Sequence, residues 1–211
     1  MDLSSQIDTF CRFTQVSRET ITSLKKYENI LIRANKDLNL IGKSTINHIW
    51  TRHFLDSAQV IDFIDKNDKS IADIGSGAGF PGLVIAIMAK DRNIPIKVKL
   101  IEKSRKKAKF LKFAINELQL DTKVINENFL NMQNELNDNL IIARAFKPLE
   151  IILELIHNKA KNWKKFFIYL GKTGEKELLR ASKTWDIKYK QRVSVTSSDS
   201  IVIEINKLIK R

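Results

Sequence analysis

Apolar positions follow two rhythms along the chain, and the change falls near residue 70. Before it, SRETITSLKKYENILIRANKDLNLI sets Ile21, Leu24, Leu31 and Leu38 on a stripe of roughly helical spacing. Ser17 stands where an N-cap belongs, with Thr20 in place of the acid of a full capping box. The stretch INHIWTRHFLDSAQVIDFI predicts a second helix over residues 45–64, with Gly42 and Lys43 in the break. After residue 70, short apolar runs alternate with amphipathic segments. The predicted strands are SIADIG, IKVKLIE, TKVINE, NLIIARA, KFFIYL, DIKYKQRVSV and SIVIEIN. Helices are expected in most gaps before KFFIYL and near GEKELLRASKTW.

Such alternation gives a mainly parallel sheet covered on both faces. The TSSD loop between the last two strands is too short for a parallel crossover, so these strands should form an antiparallel hairpin. The expected fold is α/β, a doubly wound mixed sheet of about seven strands ending in that hairpin. Residues 1–65 form an N-terminal helical extension and residues 66–211 one compact core.

Composition narrows the class. Cys11 is the only cysteine, so no internal disulfide forms. With only His48, His53 and His157 beside it, a zinc cluster is not expected, and no metal is assigned. The first residues lack the basic-then-apolar order of a signal peptide, and no apolar run approaches the ~18 residues of a membrane span. The expectation is a cytoplasmic protein with no membrane partner. It is read as a monomer, because no long apolar helix face is left unassigned. The net charge of +13, from 37 Lys and Arg against 24 Asp and Glu, favours a polyanionic partner, nucleic acid first. The plainer explanation is a generally lysine-rich composition.

Candidate chemistry gathers in IADIGSGAGFPG, which holds four of the seven glycines. This loop follows a strand and leads through Pro81 into the helix GLVIAIMAK, whose first N–H groups are free. Open α/β sheets bind ligands at this edge. Gly77, Gly79 and Gly82 satisfy G-x-G-x-x-G, the dinucleotide pattern. Gly75, Gly77 and Gly79 give G-x-G-x-G, with Asp73 two residues ahead. An acid there favours a ligand carrying an amine or a cation. S-adenosylmethionine has both, whereas a pyrophosphate would gain nothing from Asp73. Glu102 ends the next strand, where a carboxylate accepts ribose hydroxyls, or else serves as an acid at the start of SRKKAKFLKF. It fits either cofactor. An NAD-dependent oxidoreductase and a non-catalytic RNA-binding module on a methyltransferase-like fold therefore remain alternatives. GKTGEK resembles a phosphate-binding loop, but Phe166 stands where that motif needs its first glycine.

DIGSGAGFPG resembles the cofactor loop of class I methyltransferases. Together with NKDLNL, RHFLDS, EKSRKKAKFL and ARAFKPL, in that order, it makes nearly the whole chain resemble one family. That family is the bacterial small-subunit (16S) ribosomal RNA guanine-N7 methyltransferases, also called glucose-inhibited division protein B. The resemblance implies S-adenosylmethionine contacts from Gly75, Phe80 and Arg144, and from Asn128 and Phe129 in the turn after the third strand. It implies small-subunit ribosomal RNA, or the ribosomal particle, as partner. The chain departs from the family pattern at Asn128 and Leu130, where a basic residue and an acid are usual. It departs again at Ala34, where tryptophan is usual, and at Leu170-Gly171, where Lys-Gly is usual. Lys172 can supply that basic group.

With RNA implied, Arg52, Arg105, Lys106, Lys109 and Lys172 become candidate phosphate contacts, although a charge run is usually a solvated face. Guanine N7 carries a lone pair and no proton, so its methylation needs no general base. In agreement, no triad or carboxylate dyad lies near the loop. Arg144 is the one catalytic candidate, holding the cofactor carboxylate, guanine O6 or a phosphate; the alternative is an ion pair at the strand end. His53 is read as packing over the pocket, and Phe80 or Phe146 as a stacking surface.

Overall fold

The computed structural model describes residues 2–211. Met1, the first residue of the expected extension, lies outside the described residues. Helices α1 (Leu3–Thr14) and α2 (Arg18–Leu38) come first. Ser17 caps α2 as expected, accepting from the Thr20 N–H at 3.2 Å. Its own hydroxyl donates to Asp91 Oδ1 at 2.7 Å, which ties the helix start to the core. Of the predicted stripe, Leu24 and Leu31 are fully buried, while Ile21 and Leu38 pack at its margin.

The helix expected over 45–64 forms as a helical run but not as one regular α-helix. The chain runs instead through a 3-10 turn (Lys43–His48), a π-helical turn (Trp50–Leu55), one α-turn, α3 (Asp56–Ala58), and a 3-10 turn (Ile61–Phe63). Packing overrides the periodicity. The wide π-turn buries Trp50, Phe54 and Leu55, and leaves His53 and Asp56 side by side toward the sheet edge. Such turns recur at functional sites. Trp50 sits 5.1 Å from Phe54 and 5.5 Å from Phe10, ring centre to ring centre, and its indole N–H donates to Glu28 at 3.0 Å.

The sheet holds β1 (Ser70–Ile74), β2 (Lys97–Ile101), β3 (Thr122–Ile125), β4 (Leu140–Arg144), β5 (Lys165–Leu170), β6 (Trp185–Ser194) and β7 (Ser197–Lys210). Their order is β3-β2-β1-β4-β5-β7-β6, with β7 antiparallel between β5 and β6. The hairpin turn is tighter than expected. Ser194 pairs with Ser197, so most of TSSD belongs to β7 and only Val195 and Thr196 lie in the turn.

Side chains alternate across the sheet with the strand period. Ile71, Leu100, Ile142 and Phe167 face α1, α2, α4 (Gly82–Asp91) and α5 (Arg105–Leu118). Ala72, Ile74, Ile141 and Phe166 face α6 (Leu149–Lys159) and α7 (Gly174–Ala181). The helices before β1 thus share one core with α4, α5 and one face of the sheet. No helix joins β3 to β4; that connection instead sends Phe129, Met132 and Leu136 into the second core.

Candidate active site

A cavity of about 380 Å³ opens at the C-terminal edge of the parallel strands. Its walls come from the glycine loop, the end of β2, the turn after β3, the end of β4 and the segment Leu40–Gly42 after α2.

The glycines of the loop do different things. A Cβ on Gly75 would stand 2.3 Å from the Phe146 ring, and φ there is +74°. A Cβ on Gly79 would meet Leu83 at 2.6 Å, and one on Gly82 would meet Leu100 at 2.4 Å and Asp73 at 2.7 Å. These three let the protein's own side chains pack against bare backbone. At Gly77 the nearest atom is the Gly75 carbonyl at 3.8 Å, so this glycine alone leaves room for something else. Gly75, Gly77 and Phe80 line the cavity; Gly79 lies behind it.

Glu102 stands on the cavity wall. One carboxylate oxygen accepts from the Gly77 N–H at 2.9 Å and the other from the Ser104 N–H at 2.7 Å. The reading as an acid at the start of α5 holds, and the same carboxylate also joins that helix to the loop. Each oxygen keeps a second lone pair for a hydroxyl.

Asp73 departs from expectation. Strand alternation puts it on the same face as Ile71, beneath α4, with no exposure. It lies outside the cavity wall and accepts from the Gly82 N–H at 3.0 Å, which fastens the N-terminus of α4. Its other oxygen is buried without a hydrogen-bond partner. Burial pushes the carboxyl up to about 7, against the pull of the Gly82 hydrogen bond and the Arg144 charge.

Arg144 ends β4 at the cavity and is ion-paired. Its Nη1 donates to Asp56 Oδ2 at 2.8 Å, and its Nη2 lies 2.9 Å from His53 Nδ1. An arginine only donates, so His53 Nδ1 is the acceptor and the ring proton sits on Nε2, 3.0 Å from Thr45 Oγ1. Burial and the charges of Arg144 and Arg52 press the His53 pKa down to about 3, so the ring is neutral. It stacks on Phe80 at 4.8 Å, with an interplanar angle of 12°. Sequence reasoning placed His53 over the pocket and allowed Arg144 an ion pair at the strand end, but named neither Asp56 nor His53 as its partner. Beside Arg144, Ala145 has φ of +49°, an uncommon conformation for a residue with a Cβ.

Asn128 and Phe129 line the cavity, and Phe129 meets Phe146 edge to face at 6.5 Å. Of the basic residues on and before α5, Lys103 and Lys107 reach the wall. The singled-out Arg105, Lys106 and Lys109 point outward from α5; Arg52 and Lys172 are exposed and also outside the wall. Among the described residues there is no group of three or more His, Cys, Asp or Glu able to hold a metal, and no helix long and apolar enough to cross a membrane.

The residues present fit a nucleoside-bearing donor. Open backbone at Gly77 and a carboxylate at Glu102 meet the apolar surfaces of Ile101, Ile41 and Phe129, with the Arg144 guanidinium also on the wall. A sheet of this order, a glycine loop after its first strand and an acid just past its second define the S-adenosylmethionine-dependent methyltransferases. Within that class the chain belongs to the rRNA small subunit methyltransferase G family, whose profile matches residues 20–204.

It is 40% identical to the ribosomal RNA small subunit methyltransferase G of Pelagibacter ubique, over 93% of this chain and 92% of that one. Identity to the Rickettsia felis protein of the same name is 33%, over 93% of this chain and 98% of that one. Among solved structures, M. capricolum TrmK in complex with S-adenosyl-homocysteine is similar in fold. Its TM-score is 0.52 at 21% identity, covering 72% of this chain and 67% of that one. Family membership removes the oxidoreductase alternative.

Proposed function

We propose that the cavity binds S-adenosylmethionine and that the chain transfers its methyl group to N7 of a guanine in small-subunit ribosomal RNA. One observation carries the reading. The only loop glycine with open space above it is bonded to Glu102, and both line the same cavity as Arg144. Gly75, Phe80, Asn128 and Phe129 complete the donor site. Asp73 serves it from behind, by holding the start of α4. Family membership supports rRNA as the substrate.

When bound, the donor supplies an electrophilic methyl on a sulfonium. The residues of this chain orient the partners and exclude water, work that can be worth ~7–11 kcal/mol. Of His53, Asp73 and Glu102, none is free to take a proton, and the reaction asks none of Glu127, the other carboxylate on the wall. Both ring nitrogens of His53 are engaged, Asp73 is buried behind the loop, and each oxygen of Glu102 is tied to a backbone N–H. Guanine N7 asks for no base, so site and reaction agree. Arg144 spends two of its five N–H donors on Asp56 and His53. The remainder are available to the donor carboxylate, guanine O6 or a phosphate; a bond to N7 would block the nucleophile.

Lys103 and Lys107 on the wall, with Arg52, Arg105, Lys106, Lys109 and Lys172 exposed outside it, would take RNA phosphates. None of them is in an ion pair among the described residues. The target guanine must be unstacked to enter.

The test is transfer of labelled methyl to isolated small ribosomal subunits and to naked 16S rRNA. Borohydride and aniline then cleave the RNA at N7-methylguanine. Cleavage at one labelled position is expected. Label without cleavage moves the reaction to another atom, and absence of donor uptake by calorimetry removes the cavity from the mechanism.

A further inference from the structure

Arg144 is held from one side by a layer of residues outside the cavity wall. Asp56 gives one oxygen to Arg144. Its other oxygen accepts from Thr196 Oγ1 at 2.9 Å, Gln59 Nε2 at 2.9 Å and Ser194 Oγ at 3.2 Å. Gln59 in turn accepts from the Val195 N–H at 2.9 Å. Ser194 and Thr196 flank the tip of the β6–β7 hairpin, some 138 and 140 residues beyond Asp56. Such a carboxylate has little freedom, and the guanidinium it holds inherits that order. The second brace is His53, whose Nε2–H points to Thr45, and the Thr45 hydroxyl donates to the Gly42 carbonyl at 2.8 Å. Gly42 is itself on the cavity wall.

Simple structural pairing explains this poorly. Arg144 and Asp56 are each 16% exposed, so the pair is part-buried, and one contact between them would serve stability without the further donors gathered on Asp56. Four donors converging on one carboxylate fix direction more than they add affinity. A misplacement of about 1 Å in a positioning group can cost on the order of a hundredfold in rate.

We propose that Asp56, held by the hydroxyls of Ser194 and Thr196, is the positioning residue that aims Arg144 into the cavity, which makes the β6–β7 turn part of the methyl-transfer site. This rests on the reading of the cavity as that site.

A double-mutant cycle on full-length protein tests it. Methyl incorporation into isolated small ribosomal subunits gives the rate. S-adenosylhomocysteine calorimetry and thermal melting report the fold and the donor site. Arg144→Ala should slow transfer about a hundredfold, and Asp56→Ala roughly tenfold or more. On the Arg144→Ala background, Asp56→Ala should slow transfer by less than about twofold, because its route is already cut. Asp56→Asn, which keeps the shape, should recover part of the Asp56→Ala loss. Ser194→Ala with Thr196→Val, both outside the wall, should lower kcat about threefold to tenfold while S-adenosylhomocysteine affinity stays within about twofold. Full additivity of Asp56→Ala and Arg144→Ala, or an unchanged rate in the turn variant, overturns the proposal and leaves the methyltransferase reading intact. An unchanged rate in Arg144→Ala overturns both the proposal and the place of Arg144 in the site.

Discussion

The two ends of the parallel strands are built to opposite electrostatic plans. At the N-terminal edge, four acids are closed on lysine or arginine. Asp68, almost fully buried, is 3.6 Å from Lys164 and 3.7 Å from Lys165. Lys165 also reaches Asp65 and the Phe63 carbonyl, Lys99 reaches Asp138 at 3.0 Å, and Arg92 reaches Asp62 at 2.6 Å. At the C-terminal edge, charges and backbone are left unfinished. Asp73 has an orphan oxygen, Ala145 holds an uncommon φ, and Lys103 and Lys107 face the cavity without acidic partners. The Arg144–Asp56 pair stands out there as a closed contact, and it leaves donors of Arg144 uncommitted. Lys103, Lys107 and the spare donors of Arg144 thus offer uncommitted cations around the cavity, beside the carboxylates of Glu102 and Glu127.

The sharpest way to break this contrast is to fill the open edge. Gly75→Ala puts a methyl 2.3 Å from the Phe146 ring at a positive φ. Phe146 must move, and the left-handed backbone adds roughly 1–2 kcal/mol of strain. S-adenosylhomocysteine affinity should fall on the order of a hundredfold, about 2.7 kcal/mol. Gly171→Ala, at the end of β5 with nothing within 4 Å of the added methyl, should leave affinity unchanged. Calorimetry on the two variants decides it; equal affinities would take the ligand off the loop.

The next effect is in pH. Asp73 titrates near 7 when folded, against an ordinary value of 3.8. Between those values the native state keeps a proton that the unfolded chain releases, so this group's contribution to stability is lost as pH rises. His53 titrates near 3 against 6.5, so between those values the unfolded chain takes up a proton the native state refuses. Its contribution is lost as pH falls. In their shared window, from about pH 4 to 6.5, the two slopes oppose each other, each up to about 1.4 kcal/mol per pH unit. Relative to the parent, His53→Gln should lose stability as pH rises through that window, and Asp73→Asn should gain it. Urea unfolding at stepped pH reads both signs. Parallel curves for parent and variants would show that neither group is held out of its ordinary range.

Much of the fold was legible in the residues, and the reasons for the exceptions are physical. KFFIYL forms β5 over its full length, and Ser17 caps α2, because a strand run and a cap are local matters. Glu102 lines the cavity because the end of the strand after a glycine loop comes to the same sheet edge. Asp73 was assigned to the ligand, although period-two alternation with Ile71 already put it under α4. The outward face of α5 was similarly available: Ala108, Leu111 and Ile115 define the buried side, which turns Arg105, Lys106 and Lys109 away from it. The Asp56–Arg144 contact was not available, since it joins residues 88 apart through a π-turn that the apolar pattern disguised as helix. The departures at Asn128 and Leu130 left the turn in place, since Phe129 packs and the Asn128 side chain itself accepts from the Leu130 N–H at 3.2 Å.

The smallest effect compares the lysines of the two edges directly. Lys103→Ala with Lys107→Ala removes two unpaired cations from the cavity wall. If single-stranded RNA lies across the mouth, each lost phosphate contact lowers the slope of log affinity against log salt by about 0.7, so the pair should lower it by about 1.4. Affinity at moderate salt should fall a few-fold and melting temperature should hold, because neither lysine supports another group. Lys164→Ala with Lys165→Ala removes the same charge from the other edge but strips Asp68 of both cations. That variant should keep its salt slope and lose roughly 3 kcal/mol of stability, because the buried Asp68 carboxylate is left without a cation. Net charge changes equally in the two, so long-range attraction cancels from the comparison and only position remains. Filter binding of a ribosomal RNA fragment across a salt series, with thermal melting alongside, measures both quantities. Equal slopes in the two variants would mean that RNA feels only the total charge and that the open edge has no privileged claim on it.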